Sequence, residues 1–330
     1  MKTIGIIGHE NPALVRATLS RVLAKLSSTF PNAKLLLTEK MASFERPAGC
    51  EVAESLQSLA KASDVIVSIG GDGTMLLAAR AIARANLDAR RTSPTMLIGV
   101  NAGKLGFLSE HPPEEIDALF DELGSGSLVN EERLMLQASL RCDSGEALFV
   151  KQDNLDPSRE GSTASKFTLD ALNEVVIDNY GSTRMLTLEV YVSDALLGVL
   201  RADGIMVATP TGSTGYAVSA GGPIVEPNSP VMLITPIAPH SLNVRPVIVP
   251  EGATVRVRAR AEETREETSP TLRVLVVADG QEQIVVSTPA EIVVRASPRR
   301  LHLLRRKERS FFDLLRTKLF WSADSREGRR

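Results

Sequence analysis

The chain has 330 residues, 43% of them hydrophobic and 24% charged, with a formal net charge of −2 at pH 7. That is enough chain for two domains, and so small a charge argues against nucleic acid or an anionic membrane as partner. Cys50 and Cys142 form no CxxC pair, the four histidines lack metal-ligand spacing, and no apolar run approaches the roughly 20 residues of a membrane span, so a cytoplasmic protein without a zinc site is expected.

Residues Thr3–Ile7 read as a buried strand, too short and glycine-flanked for a signal peptide. Leu14, Val15, Leu19, Val22, Leu23 and Leu26 recur at helical spacing, Leu35–Leu37 is a short strand, and Val52, Leu56 and Leu59 mark another helix. The run Val65–Ile69 is a strand, Met75–Ile82 a helix and Met96–Val100 a further strand. Pro112-Pro113-Glu114-Glu115 opens a helix carrying Ile116, Leu119, Phe120 and Leu123, with Gly124 as its stop. Alternating strands and helices predict a Rossmann-like open parallel sheet over 1–128, with ligands at the carboxyl ends of its strands.

Between the Val65–Ile69 strand and its helix stands Gly70-Gly71-Asp72-Gly73-Thr74. A strand, a glycine turn and a helix start gather free backbone N–H groups, and the helix dipole favours negative charge there by roughly 0.3–1 kcal/mol. Gly70, Gly71 and Gly73 let the main chain approach a phosphate, and Thr74 adds a hydroxyl. An aspartate in such a turn repels a bare phosphate, so Asp72 asks for a metal ion, a hydroxyl proton to accept, or both. The plainer reading is a helix cap in a tight turn.

Beyond residue 130 the pattern turns to short β-branched runs: Leu134–Leu140, Leu186–Val192, Thr254–Arg258, Leu272–Val277 and Ile292–Val294. These predict an antiparallel β-sandwich over 129–297. Lys151–Lys166 and Ala261–Pro270 read as polar loops. The basic stretch 298–330, with Leu301, Leu303, Leu304, Phe311, Phe312 and Trp321, is expected to return as strand and helix onto the first domain, and Ser322–Arg330 to stay disordered.

A second constellation runs from Asp203 through the strand Gly204–Ala208 into a loop dense in glycines and hydroxyls, Thr211-Gly212-Ser213-Thr214-Gly215-Tyr216, continuing to Ser219 and Pro223. Such a loop offers N–H and O–H donors at close range, and Tyr216 a flat face for a base. The plainer reading has these hydroxyls bonded to their own backbone. Asn173-Glu174 opens the strand Val175–Ile177, and Asn101–Leu108, with Phe107, follows another strand end.

Taken together and in this order, Gly70–Thr74, Asn101–Leu108, Asn173–Ile177 and Asp203–Pro223 resemble the NAD kinase family. So do Pro236–Pro246, Asp279-Gly280-Gln281 and the tail Phe311–Trp321. The resemblance implies α/β plus all-β architecture, a homo-oligomer (dimer or tetramer) whose subunits share nucleotide sites, and NADP+ synthesis from NAD+ and ATP. By the same resemblance Asp72 is the catalytic aspartate, and Gly70, Gly71, Gly73 and Thr74 surround the donor phosphates. Asn173, Glu174, Arg201, Asp203, Thr214, Gly215, Tyr216 and Ser219 hold NAD+, and Phe107 flanks it. Gly215 stands where the family more often has alanine. Mg2+ is expected on the donor phosphates and Asp72, since the sequence shows no carboxylate cage. A lipid kinase with the same glycine turn and a non-catalytic dinucleotide sensor are the rivals. His240 has a structural role open to it as readily as a functional one.

Overall fold

The computed structural model describes residues 2–85, 93–103, 105–142, 147–151, 163–164, 166–181, 184–261 and 272–319. The expected disorder of Ser322–Arg330, and most of the loops Lys151–Lys166 and Ala261–Pro270, lie outside them. Among the described residues, β1 (Thr3–Gly8), β2 (Lys34–Leu37), β3 (Glu51–Val52), β4 (Val65–Gly70) and β5 (Met96–Asn101) pair in parallel in the order β3-β2-β1-β4-β5. Buried on both faces, β4 divides its side chains by the period of two: Val65, Val67 and Ile69 pack with helices α1 (Pro12–Thr29) and α5 (Ile116–Ser125), and Ile66 with α3 (Leu56–Ala62) and α4 (Asp72–Ala85). Each such side chain contributes about 1.5–3 kcal/mol of burial.

Three local expectations needed correction. Val52 belongs to the edge strand β3, not to a helix, and α2 (Glu39–Phe44), capped by Thr38, was not anticipated. Helix α5 continues past Gly124 to Ser125; Gly126, with φ 72°, supplies the left-handed residue that ends it. The sheet also gains β6 (Val129–Arg133), which lies outside the 1–128 span read as the first domain.

β6 pairs antiparallel with β21 (Leu301–Arg305), which itself lies parallel to β5, so the C-terminal segment does return to the first sheet. Leu301, Leu303 and Leu304 are buried there. Arg305 forks onto both carboxylate oxygens of Glu110 and reaches Glu131 at 2.8 Å, and Arg306 reaches Glu122 at 2.6 Å. Arg305 and Arg306 are thus matched within the fold. Helix α7 (Phe311–Leu319) follows; Phe320 and Trp321 lie outside the described residues.

The remaining strands form two antiparallel sheets. One has the order β10 (Lys166–Ala171), β7 (Leu136–Cys142), β20 (Ala290–Ala296), β17 (Thr254–Arg260), β12 (Leu186–Val192), β13 (Ala195–Ala202). The other runs β16 (Val247–Pro250), β15 (Val231–Ile237), β14 (Gly204–Ala208), β11 (Glu174–Asn179), β18 (Arg273–Ala278), β19 (Glu282–Ser287), β8 (Ala147–Lys151), β9 (Thr163–Ala164). Alternate residues of both, among them Leu188, Val257, Ile177 and Val276, close one shared core, the mark of a sandwich.

Candidate active site

Helix α4 starts directly on the glycine turn. Gly70 has no room for a side chain, since a Cβ there would lie 2.4 Å from Thr74 Oγ1; around Gly71 nothing stands within 4 Å. The Asp72 carboxylate is taken up by the loop after β5: the N–H of Phe107 donates to Oδ2 at 2.9 Å, and those of Leu108 and Ser109 to Oδ1 at 3.0 and 2.9 Å. This is a third answer to the charge of Asp72, beside a metal ion or a hydroxyl. Ser109 also bonds back to the Gly70 carbonyl at 2.7 Å, and a Cβ on Gly106 would lie 1.9 Å from Asp72 Oδ1. Loop and turn are therefore one unit. Phe107 is half-buried under α7, with the Phe311 ring 6.4 Å away and Lys318 Nζ 4.5 Å above its face.

Asn173 and Glu174 meet the glycine–hydroxyl loop directly. Glu174 pairs with Ala208 in the β11–β14 ladder, Thr209 donates its N–H to the Asn173 carbonyl at 2.8 Å, and a Cβ on Gly212 would lie 2.2 Å from that same oxygen. Only glycine permits so close an approach. Gly215 is less confined, with Gly212 O, Glu174 Oε2 and Asn173 Nδ2 at 3.2–3.4 Å from a notional Cβ. The hydroxyls are engaged locally: Thr209 on Leu172 O, Ser213 on Pro210 O, Thr214 on Thr211 O. Here the plainer reading holds for these three side chains, which brace the loop. Tyr216 and Ser219 are exposed.

Glu174 is 6% exposed, and its Oε2 and the neighbouring Asn173 Oδ1 have no hydrogen-bond partner among the described residues. Burial, and then the charge of Asp279, push its carboxyl up to about 8, against which the Tyr216 N–H works. Side by side beneath the glycine–hydroxyl loop, these two acceptor atoms leave room for a ligand's hydroxyl or amide.

The turn Ala278–Glu282 joins the two halves. Asp279 accepts the N–H groups of Leu172, Asn173 and Glu174 at 2.9, 2.7 and 3.2 Å, and Gln281 Nε2 donates to the Gly73 carbonyl at 2.8 Å. Gly70–Thr74, Phe107, Asn173, Glu174, Thr214, Gly215 and Tyr216 so belong to one connected set. Arg201 and Asp203 do not join it within a single chain. They are exposed at the other end of β14, whose ladder runs from Ala208 opposite Glu174 to Gly204 opposite Asp178, roughly 13 Å of strand. Exposed His240 donates its N–H to the Arg201 carbonyl at 2.8 Å, at that far end.

Gly106 lies within the Asn101–Leu108 motif without an assigned role there, and the motifs do not reach Ser109, Arg80 or Arg84. A signal for the arginines was present: two cations four residues apart on one face of an otherwise alanine-rich helix need buried partners, and Asp279 and Glu282 lie three apart on a turn.

Residues 15–127 match the family model for the ATP-NAD kinase N-terminal domain, and residues 172–306 that for the ATP-NAD kinase C-terminal domain. An NAD kinase of Tolumonas auensis is 32% identical over 321 residues, 97% of each chain. Among solved structures, yeast NADH kinase complexed with NADH superimposes with a TM-score of 0.79 at 22% identity, over 98% of this chain and 89% of the other. An NAD kinase from Archaeoglobus fulgidus in complex with ATP gives 0.65 at 23% identity, over 96% and 97%.

Proposed function

This chain belongs to the ATP-NAD kinase family, and from that premise we propose that it transfers the γ-phosphoryl of ATP to the 2′-hydroxyl of the adenosine ribose of NAD+, giving NADP+. One observation carries the assignment of the site: the glycine turn and the Asn173–Glu174 segment, distant in sequence, are bridged by the single turn holding Asp279 and Gln281. The transition state of such a transfer is loose, so catalysis is mainly positioning and charge stabilisation.

In this reading the start of α4 receives the donor phosphates, with Gly71 leaving the backbone open to them. Asp72 orients the acceptor hydroxyl. With two N–H donors on Oδ1 and one on Oδ2, the carboxylate is held rigid and keeps acceptor capacity on Oδ2. Asn173 Oδ1 and Glu174 Oε2 bind polar groups of the dinucleotide, and Glu174, neutral at pH 7, has a proton to donate. Tyr216 and Ser219 line the same side. Magnesium has no ready-made cage: among the described residues no group of three His, Cys, Asp or Glu is placed to hold a metal. A magnesium ion carried on the donor phosphates would offset their charge, with Asp72 beside it, and the chain's own residues do the orienting.

Arg201 and Asp203 act from a neighbouring copy. Support for association comes from the two edge strands β13 and β16, where Leu196, Leu197, Val199 and Ile248 are exposed, with Leu242 87% exposed beside them. Between these strands lies an apolar groove of about 220 Å³ lined by Leu197, Leu200, Ile234 and Val247. A second copy covering it accounts for an apolar patch on two sheet edges. No helix among the described residues is long and apolar enough to cross a membrane.

The test is NADP+ formation from NAD+, ATP and Mg2+, with Asp72→Asn alongside. Product from the wild type and almost none from the variant is the expected result. Equal turnover by both removes Asp72 from the chemistry; no product from the wild type with ATP or polyphosphate leaves a dinucleotide sensor.

A further inference from the structure

Arg80 is the largest fully buried side chain of the described residues, and it is charged. It stands two helical turns after Asp72 on α4, and its guanidinium crosses from the first sheet's helical layer into the β18–β19 turn of the sandwich. There it donates to the Ala278 carbonyl at 3.4 Å and to Gln281 Oε1, and lies 4.0 Å from Asp279 Oδ2. One turn on, Arg84 pairs with Glu282 in the same way. Burying two arginines at a seam between layers carries a large desolvation penalty, which a hydrophobic seam of similar volume avoids.

The turn that receives them is a tight hairpin. Asp279 and Gly280 have φ of 51° and 68°, the left-handed pair that an Asp-Gly sequence favours. Burial pushes the wholly enclosed Asp279 carboxyl above the ordinary range, and Arg80 and the three N–H groups of Leu172, Asn173 and Glu174 work against that. Gln281 uses both ends of its amide, the oxygen on Arg80 and the nitrogen on the carbonyl of Gly73. Buried charge and hydrogen bonds at one place, aimed at both halves of a site, are the signature of an element kept for geometry.

We infer that Arg80, Asp279 and Gln281 form a positioning strut that sets the distance and angle between the glycine turn and the Asn173–Glu174 segment. The inference rests on the phosphoryl-transfer reading above. None of the three needs to touch a substrate. The strut acts through the backbone: Gln281 fixes Gly73, next to Asp72, while Asp279 fixes the start of β11, and Arg80 locks the two to each other. Misplacement of reacting groups by about 1 Å costs on the order of 100-fold in rate, so a strut of this kind governs kcat more than binding.

The test uses the full chain with Gln281→Ala, which removes a half-buried side chain and leaves the buried ion pair in place, and Arg80→Lys as the charge-conserving companion. Expected for Gln281→Ala is a fall in kcat of ~10- to 100-fold, with KM for NAD+ and for ATP within about twofold of the wild type. Arg80→Lys, which keeps a cation but not the fork, is expected to give the same split. Hydrogen exchange supplies a readout independent of turnover. Under the strut, Gln281→Ala speeds exchange at Gly73–Met75 and, in the other layer, at the Leu172–Glu174 amides together. An unchanged kcat, a rise in KM alone, or faster exchange confined to one of the two segments overturns the inference. A wild type that makes no NADP+ defeats the kinase reading instead, and the paired exchange response then still upholds the strut.

Discussion

Asp72 and Glu174 open their respective elements, a helix and a strand, and carry the same functional group in opposite surroundings. Asp72 is half-buried and receives three backbone N–H groups from Phe107–Ser109. Glu174 is buried, has one oxygen without a partner, and is pushed to about 8 by burial and the nearby charge of Asp279. The first is held in place by backbone donors, and the second is a neutral acid at pH 7. What separates them is the supply of donors: a loop folds back on Asp72, whereas the N–H groups at the start of β11 go to Asp279 and leave Glu174 its proton. Two carboxylates in one site can thus serve as charge and as proton source without any difference in residue chemistry.

The largest effect expected of breaking this contrast is on Asp72. Asp72→Asn places an amide N–H against backbone donors and lowers kcat by about 10²- to 10⁴-fold, measured as NADP+ formation. Gly106→Ala, whose Cβ would collide with Asp72 Oδ1, should follow it, because loop and carboxylate are one unit. On the Glu174 side, Gly212→Ala drives a methyl into the Asn173 carbonyl and should weaken NAD+ binding by roughly tenfold or more in calorimetry, as overpacking of about 1–3 kcal/mol demands. Gly215→Ala, with contacts of 3.2–3.4 Å, should change it by less than about threefold. Equal effects of the two would mean the loop gives way and the contrast in room is illusory.

Smaller still are the effects of pH. With Glu174 titrating near 8, kcat/KM for NAD+ should inflect there in the wild type and lose that inflection in Glu174→Gln, whose rate at pH 7 stays close to the wild type's. Stability should show the same group. Its folded value of about 8 lies above the ordinary 4.5, so the folded chain holds the proton more tightly, and this contribution is present below pH 4.5 and lost as pH rises to about 8. His111 works in the other direction. Enclosed and surrounded by Arg309, Arg305 and Arg306, it falls from 6.5 to about 3, so its contribution is intact above pH 6.5 and lost on acidification towards 3. Across about pH 4 to 9, Glu174→Gln should therefore remove the loss of melting temperature that the wild type accrues between about pH 4.5 and 8, and His111→Gln should soften the decline on acidification below about 6.5.

How much of this was legible in sequence differs from residue to residue. Val65–Ile69 followed by Gly70–Thr74 announced a strand, a turn and a helix, and the structure has all three, because glycine content and period-two burial are local properties. The proximity of Asn173 to Gly212 was suggested only by family resemblance; the ladder of β11 with β14 supplies the contact. The loop after β5 was readable as a strand end, but not its three N–H groups on Asp72. Arg80 lies inside a helix whose amphipathic pattern is complete without it.

By itself, then, the sequence determined the layer architecture, the returning C-terminal strand and the identity of the glycine-rich segments, since these follow from hydrophobic period, turn chemistry and motif. Tertiary structure alone decided which carboxylate is fixed and which is neutral, which hydroxyls brace their own loop, and that Arg201 and Asp203 stand apart from the rest. Those outcomes depend on burial and on hydrogen-bond donors brought from 35 to 208 residues away, as with Phe107 on Asp72 and Gln281 on Gly73, and no local pattern encodes them.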